Sequence, residues 1–125
     1  MILRNRATVI VEDEKGILLV SHSFGKRPNF MLPGGGIKRK ELPLTAAVRE
    51  LHEETNLEAT EVKYLFNFKS EYNNHFVFLI KTRGALRKKR ETRYISFFNK
   101  KTQELLNLSP HVKPIIEHFN KIDIR

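Results

Sequence analysis

Most of this chain is written in short blocks of apolar or alternating residues, and only two stretches settle into helical spacing. Residues 6–11 (RATVIV) alternate in part and are rich in β-branched side chains, which predicts a strand. The polar run Glu12-Asp13-Glu14-Lys15-Gly16 reads as a turn into a short buried strand over 17–20, so that the two strands form a hairpin. A loop over 21–29 carries Gly25 and Pro28, and a short strand follows over 30–32 with Phe30 in the core. Residues 61–69 (EVKYLFNFK) and 75–81 (HFVFLIK) are strong strand patterns around Glu71-Tyr72-Asn73-Asn74, a hairpin turn. Phe76 is assigned to sheet packing rather than to stacking on a base. A last strand spans 94–98 (YISFF), and 101–106 reads as a short helical turn.

The first helical stretch opens at Pro43, which suits a first helical position, although Leu42 is a poor N-cap. It runs to about Thr55 and stops at Asn56. Helix residues advance roughly 100° each. Leu44, Ala47, Val48 and Leu51 then form one stripe, while Glu50, Glu53 and Glu54 point together elsewhere. Like charges at this spacing repel, by a few tenths of a kcal/mol per pair on a free helix. Glu53 and Glu54 also lie towards the C-terminal end, where the macrodipole disfavours them. Two readings stand: a solvated acidic face, or oxygen ligands for a divalent cation such as Mg2+ or Mn2+. The second helix is predicted from Ser109 as N-cap and Pro110 as first residue through about Ile122, with Val112, Ile115, Ile116 and Phe119 as its apolar stripe. Strands interleaved with two helices predict an α+β chain, with a mixed β-sheet between helical layers.

The acidic helix sits in a longer pattern. Gly35, five residues, Glu41, seven residues, Arg49-Glu50-Leu51, one residue, Glu53-Glu54, one residue, then Asn56-Leu57 closely resembles the signature box of the Nudix hydrolases. Phe30-Met31-Leu32-Pro33-Gly34 resembles the family's approach to it. One position departs: the family normally has glycine where this chain has Asn56. Asparagine is the next most tolerant residue for a positive-φ helix cap, so the exchange is read as conservative.

The resemblance implies the Nudix fold, an α/β/α sandwich, and hydrolysis of a nucleoside diphosphate linked to another group. It implies Glu50, Glu54 and Glu53 as metal ligands together with the Gly35 carbonyl, and Glu53, Glu50 and Arg49 as the catalytic set. Glu53 is shared between metal binding and base work; Arg49 and Glu41 orient carboxylates. Glu91 is the candidate for a further carboxylate that the family often supplies from this region. Mg2+ or Mn2+ would neutralise the diphosphate and activate water.

Charge and composition narrow the partners. The formal net charge of the 125-residue chain is +9, which favours polyanionic partners or serves solubility alone. Lys26 and Arg27 in the loop before the box, and Lys38 within it, are candidate phosphate contacts; ordinary surface charge is the alternative. The most basic segment, 81–93, reads either as a solvated edge or as a phosphate or RNA contact. His52 is read as a surface residue. There is no cysteine, which excludes disulfides and thiolate chemistry and fits a cytoplasmic location. No stretch approaches a membrane span, and the N-terminus lacks the apolar run of a signal peptide. One domain is expected over 1–125, as a monomer or homodimer.

Three functions follow for test. The first is a Mg2+-dependent pyrophosphohydrolase on a small-molecule nucleotide (nucleoside triphosphate, ADP-ribose or dinucleoside polyphosphate). The second is the same chemistry on the 5′ end of RNA. The third, of another class, is a catalytically inactive Nudix-fold binding domain.

Overall fold

The computed structural model describes residues 2–122. Residues 1 and 123–125 of the domain expected over 1–125 lie outside the described residues. In chain order the elements are β1 (Arg4–Ile10), β2 (Glu12–Asp13), β3 (Gly16–Ser21), β4 (Asn29–Phe30), β5 (Gly34–Gly36), α1 (Pro43–Thr55), β6 (Glu58–Lys69), β7 (Asn73–Arg83), β8 (Tyr94–Phe98), β9 (Asn107–Leu108) and α2 (Val112–Lys121). A mixed sheet runs β5-β1-β7-β6, with β1 and β7 parallel and the outer pairs antiparallel. An antiparallel sheet runs β2-β3-β8, and β4 pairs with β9.

Strand alternation places the two helices. Ala7, Val9 and Val11 join Leu18, Phe78 and Ile80 under Ala46, Ala47 and Leu51 of α1. Ile10, Ile17, Leu19 and Val77 face the other way, under Val112, Ile115, Ile116 and Phe119 of α2. Both faces of the central strands are therefore covered, which is why β1 and β7 read as nearly continuous apolar runs. The result is the mixed α+β sandwich expected.

Three local expectations need correction. Residues 6–10 do not form the expected hairpin with 17–20: β1 belongs to the mixed sheet, and the hairpin is confined to Glu12 and Asp13 opposite Ile17 and Gly16, with the Leu18 N–H donating to the Val11 carbonyl at 2.9 Å. The chain changes sheets within one residue, because each side of β1 is already taken by β5 and β7. The second helix starts at Val112, two residues after Pro110. The Ser109 hydroxyl is engaged by the Asn29 amide at 2.6 Å instead of capping. The buried side of α1 is also turned from the expected stripe. Leu44 is exposed, while Ala46, Glu54 and Thr55 join Ala47 and Leu51 inside. The helix rotates to carry Glu54 inward, where the backbone receives it.

The ends of α1 agree with the sequence. Pro43 opens it and Leu42 gives no side-chain cap; Asn56 closes it at φ 70° with its N–H donating to the His52 carbonyl. The residues before it, however, are not a plain loop. Gly34–Gly36 form an edge strand antiparallel to β1. Gly34 has φ 146°, and a Cβ there would stand 2.0 Å from the Ala7 carbonyl oxygen. Gly34→Ala should therefore destabilise by about 3 kcal/mol or more, through backbone strain and loss of strand pairing. A urea melt measures this; wild-type stability would refute it.

On the α2 side lies a buried polar cluster. His75 is fully buried, with Nδ1 2.8 Å from the Thr8 hydroxyl and Nε2 3.1 Å from that of Ser70. The His111 ring lies 4.7 Å away. Burial, then the Arg6 charge, pushes His75 down to about 4. Burial, then Arg6 and His75, pushes His111 down to about 3. Both stay neutral in the folded chain while an unfolded histidine takes a proton near 6.5. Their stabilisation is thus complete above about pH 6.5 and is lost as the pH falls towards their folded values. Each group should lose on the order of 2 kcal/mol between about pH 7 and pH 4.5, about 4–5 kcal/mol for the two together. The replacement His75→Gln should flatten that slope in pH-dependent urea melts, and an unchanged slope would exclude the assignment.

Candidate active site

The last two turns of α1 bring Glu50, Glu53 and Glu54 into one cavity of about 270 Å3, which His22, Arg90 and Glu91 also line. The three carboxylates are held differently. Glu54 is the most enclosed, its side chain 9% exposed against 18% for Glu50 and 25% for Glu53. Its Oε1 accepts the Gly34 N–H at 2.9 Å and its Oε2 meets His22 Nε2 at 3.0 Å. That hydrogen bond, foremost, raises the His22 pKa; burial opposes it, and the Glu91 backbone and charge add to it. Glu50 lies against Gly35, where a Cβ would stand 2.5 Å from its carboxyl carbon. Only glycine leaves Glu50 this position.

Arg49 organises the other two. Its Nε and one terminal nitrogen grip Glu41 at 2.7 and 2.9 Å, a two-pronged pair. Its remaining nitrogen donates to Glu50 at 2.7 Å and approaches Glu53 at 3.4 Å. Glu41 also accepts the Lys38 N–H at 3.0 Å. Arg49 first, then the Lys38 amide, holds the Glu41 carboxylate down to about 2, and Glu41 raises Arg49 in turn. The box therefore fastens its own helix start to its acidic turn. Arg49 acts by positioning carboxylates.

Arg90 reaches the site from the basic loop, residues 84–93, and ion-pairs with Glu53. It sits at φ 52°. The loop is fixed to the end of α1: the Arg87 N–H donates to the Thr55 carbonyl at 2.9 Å and the Lys89 N–H to that of Glu54 at 3.3 Å. Those carbonyls would otherwise be unpaired at a helix C-terminus. Asn56 adds its amide to the Ala85 carbonyl at 2.9 Å. The residue that departs from the family's glycine thus both takes the left-handed cap and ties down this loop.

Among the sequence candidates, Glu50, Glu53, Glu54 and Glu91 meet in the cavity, while Gly35 lies against the Glu50 carboxylate and lines a neighbouring cavity. Lys26, Arg27 and Lys38 are exposed and do not line it. Lys38 enters only through its backbone. His52 is exposed, as expected. Sequence reasoning missed His22 and Arg90. Arg90 lay in a run of seven cations with nothing local to distinguish it. His22 sits at the end of β3, a position that only the fold aligns with α1.

The donors gathered in the cavity, the carboxylate oxygens of Glu50, Glu53, Glu54 and Glu91, fit a hard divalent cation. Among the described residues, no three such side chains are gathered closely enough to hold one as they stand. Arg49 and Arg90 supply the positive charge that Glu50 and Glu53 face.

This geometry accords with known proteins. The sequence model of the NUDIX domain matches residues 2–119. A Nudix hydrolase family member from Chromobacterium violaceum superposes with a TM-score of 0.84 at 30% identity, over 96% of this chain and 78% of that one. A structure from work on MutT of Aliivibrio salmonicida and Vibrio cholerae gives 0.76 at 18% identity, over 94% and 96%. The MutT protein of Bacillus halodurans gives 0.76 at 21%, over 97% and 84%. The latter two likenesses speak to the fold. Together with the box and its carboxylate cavity, the match over 2–119 defines the class: the chain belongs to the Nudix hydrolase family. Members are pyrophosphohydrolases that use divalent metal ions.

Proposed function

We propose that this protein is a Mg2+-dependent pyrophosphohydrolase that cleaves the diphosphate link of a small nucleotide. The observation that carries the reading is the convergence of Glu50, Glu53 and Glu54 with Glu91 in one cavity. Glu50, Glu54 and Glu53, with the Gly35 carbonyl, would hold the ion, which supplies charge neutralisation and a more acidic bound water. Glu54 is held from two sides by Gly34 and His22, so it is a fixed ligand. Glu53 is the most exposed of the three and is assigned as the base. Water attacks phosphorus and the bridging P–O bond breaks. The bridging oxygen leaves with the departing phosphate group, and Glu53 takes the water proton. Arg90, beside Glu53, is placed to meet phosphate charge once that pair opens.

A screen of nucleoside triphosphates, ADP-ribose and dinucleoside polyphosphates with Mg2+ or Mn2+ tests this. The expected result is release of a mononucleotide that stops when the metal is chelated. No hydrolysis of any member with either metal would end the reading.

One observation favours a second substrate class. The basic loop is joined directly to the catalytic helix and supplies Arg90 to the cavity. A 5′-triphosphate RNA would lie along it, and binding would weaken steeply with salt. Equal affinity at low and high salt would exclude RNA.

A further inference from the structure

Beyond His22 lies a second cavity of about 260 Å3, which shares His22 and Gly34–Gly35 with the surroundings of the carboxylates. Its character is opposite. Arg4 and Arg6 line it, with Met31, Asn73 and the Gly34–Gly36 edge; no carboxylate and no phenyl or indole ring takes part. Arg4 and Arg6 are alternate residues of β1, so they share a side of the strand. The Arg4 guanidinium lies over Gly36, 3.6 Å from where a Cβ would be.

Arg6 is the informative residue. It is half-buried, and burial lowers its pKa even though the Glu54 and Glu50 charges oppose that. One terminal nitrogen donates to the Leu32 carbonyl at 2.8 Å and makes a long contact to the Met31 sulfur at 4.0 Å. Among the described residues it makes no ion pair, unlike Arg49 and Arg90. The Glu54 and Glu50 charges act on this guanidinium from beyond ion-pair distance, no carboxylate sits on its own fork, and the bond to Leu32 uses only part of its donors.

We infer that Arg6, seconded by Arg4, is a receptor for a phosphate group of the substrate, in the cavity that adjoins the carboxylates across His22 and Gly34–Gly35. The fork of an arginine matches phosphate oxygens in pairs. A nucleobase would want an aromatic or broad apolar platform, and Met31 is the only sizeable apolar side chain here. The assignment deepens the pyrophosphohydrolase reading and its substrate half rests on it. It selects phosphate-terminated substrates, the nucleoside triphosphate or 5′-triphosphate class, over a diphosphate capped by a neutral sugar.

The test is a titration of 15N-labelled, metal-free protein with inorganic phosphate, following the arginine Nε–H signals. The expected result is a saturable shift of the Arg6 signal, with affinity falling about 10- to 100-fold in Arg6→Gln. Arg6→Lys, which keeps charge and one donor, should recover part of it. In the active enzyme Arg6→Gln should raise KM for a nucleoside triphosphate about tenfold or more, while KM for ADP-ribose changes little. The wild-type titration stands even if a variant folds poorly. A wild-type Arg6 signal indifferent to phosphate, or one that moves with a nucleoside instead, overturns the inference. Retained metal-dependent hydrolysis in that case leaves the pyrophosphohydrolase reading intact.

Discussion

Glu54→Gln should lower kcat by at least about a thousandfold, or about 4 kcal/mol of barrier, with the fold retained. The substitution is nearly isosteric. The amide oxygen still accepts the Gly34 N–H, now 2.9 Å from Oε1, and the amide nitrogen can donate to a neutral His22. What disappears is the charge of the most enclosed of three neighbouring carboxylates. Without metal that loss relieves like-charge repulsion, so the melting temperature should hold or rise, the usual exchange between stability and a strained site. Calorimetric Mg2+ or Mn2+ uptake should weaken in parallel with activity. Wild-type turnover in this variant would remove Glu54 from the site altogether.

Gly35→Ala should cost about a hundredfold in kcat while melting close to wild type. A Cβ at Gly35 would stand 2.5 Å from the Glu50 carboxyl carbon and 2.6 and 2.8 Å from its oxygens. The group that must yield is the end of a flexible side chain, so the strand pairing of Gly35 with Ala7 survives and Glu50 moves. A shift of this size in a positioned group is enough to lose the productive geometry. Gly36→Ala is the comparison for kcat alone: its nearest neighbour would be Arg4 at 3.6 Å, an ordinary contact that leaves Glu50 in place, so kcat should stay near wild type whatever happens to KM at the cavity Gly36 lines. Three adjacent glycines thus separate by function, since Gly34 serves the backbone, Gly35 serves Glu50 and Gly36 tolerates a side chain. If Gly35→Ala unfolded the protein instead, Gly35 would be a backbone requirement like Gly34.

The electrostatics of the cavity give its carboxylates a state to leave. Arg90 pairs with Glu53, and Arg49 reaches both Glu53 and Glu50. A cation held by these glutamates would compete with the two arginines for the same carboxylate oxygens. Arg49 is the less mobile of the two because Glu41 holds it through two hydrogen bonds.

Much of this was legible in one dimension. Pro43 and Asn56 bracketed α1 because a proline needs no N–H at a helix start and an asparagine tolerates φ of 70°. The spacing of Glu50, Glu53 and Glu54 foretold that they would share a direction, since helical angle depends only on sequence separation. The strands read over 61–69 and 75–81 from apolar periodicity are present and extend to 58–69 and 73–83, so that the turn between them is shorter than 71–74 implied. The stripe of α2 was correct although its start was not: the Ser109 hydroxyl accepts from the Asn29 amide across the molecule and caps no helix.

Local pattern alone determined, then, where the two helices lie, which face of α1 is acidic and that the family box is present with one exchange at Asn56. Tertiary structure decided the partners. Strand order brought His22 to Glu54, β1 register put Arg6 beside the glycine edge, and the unpaired carbonyls at the end of α1 captured the loop that carries Arg90. The physical reason is that periodicity encodes orientation about a local axis. Contacts between residues tens of positions apart depend instead on which edges and helix ends remain unsatisfied once the core has closed.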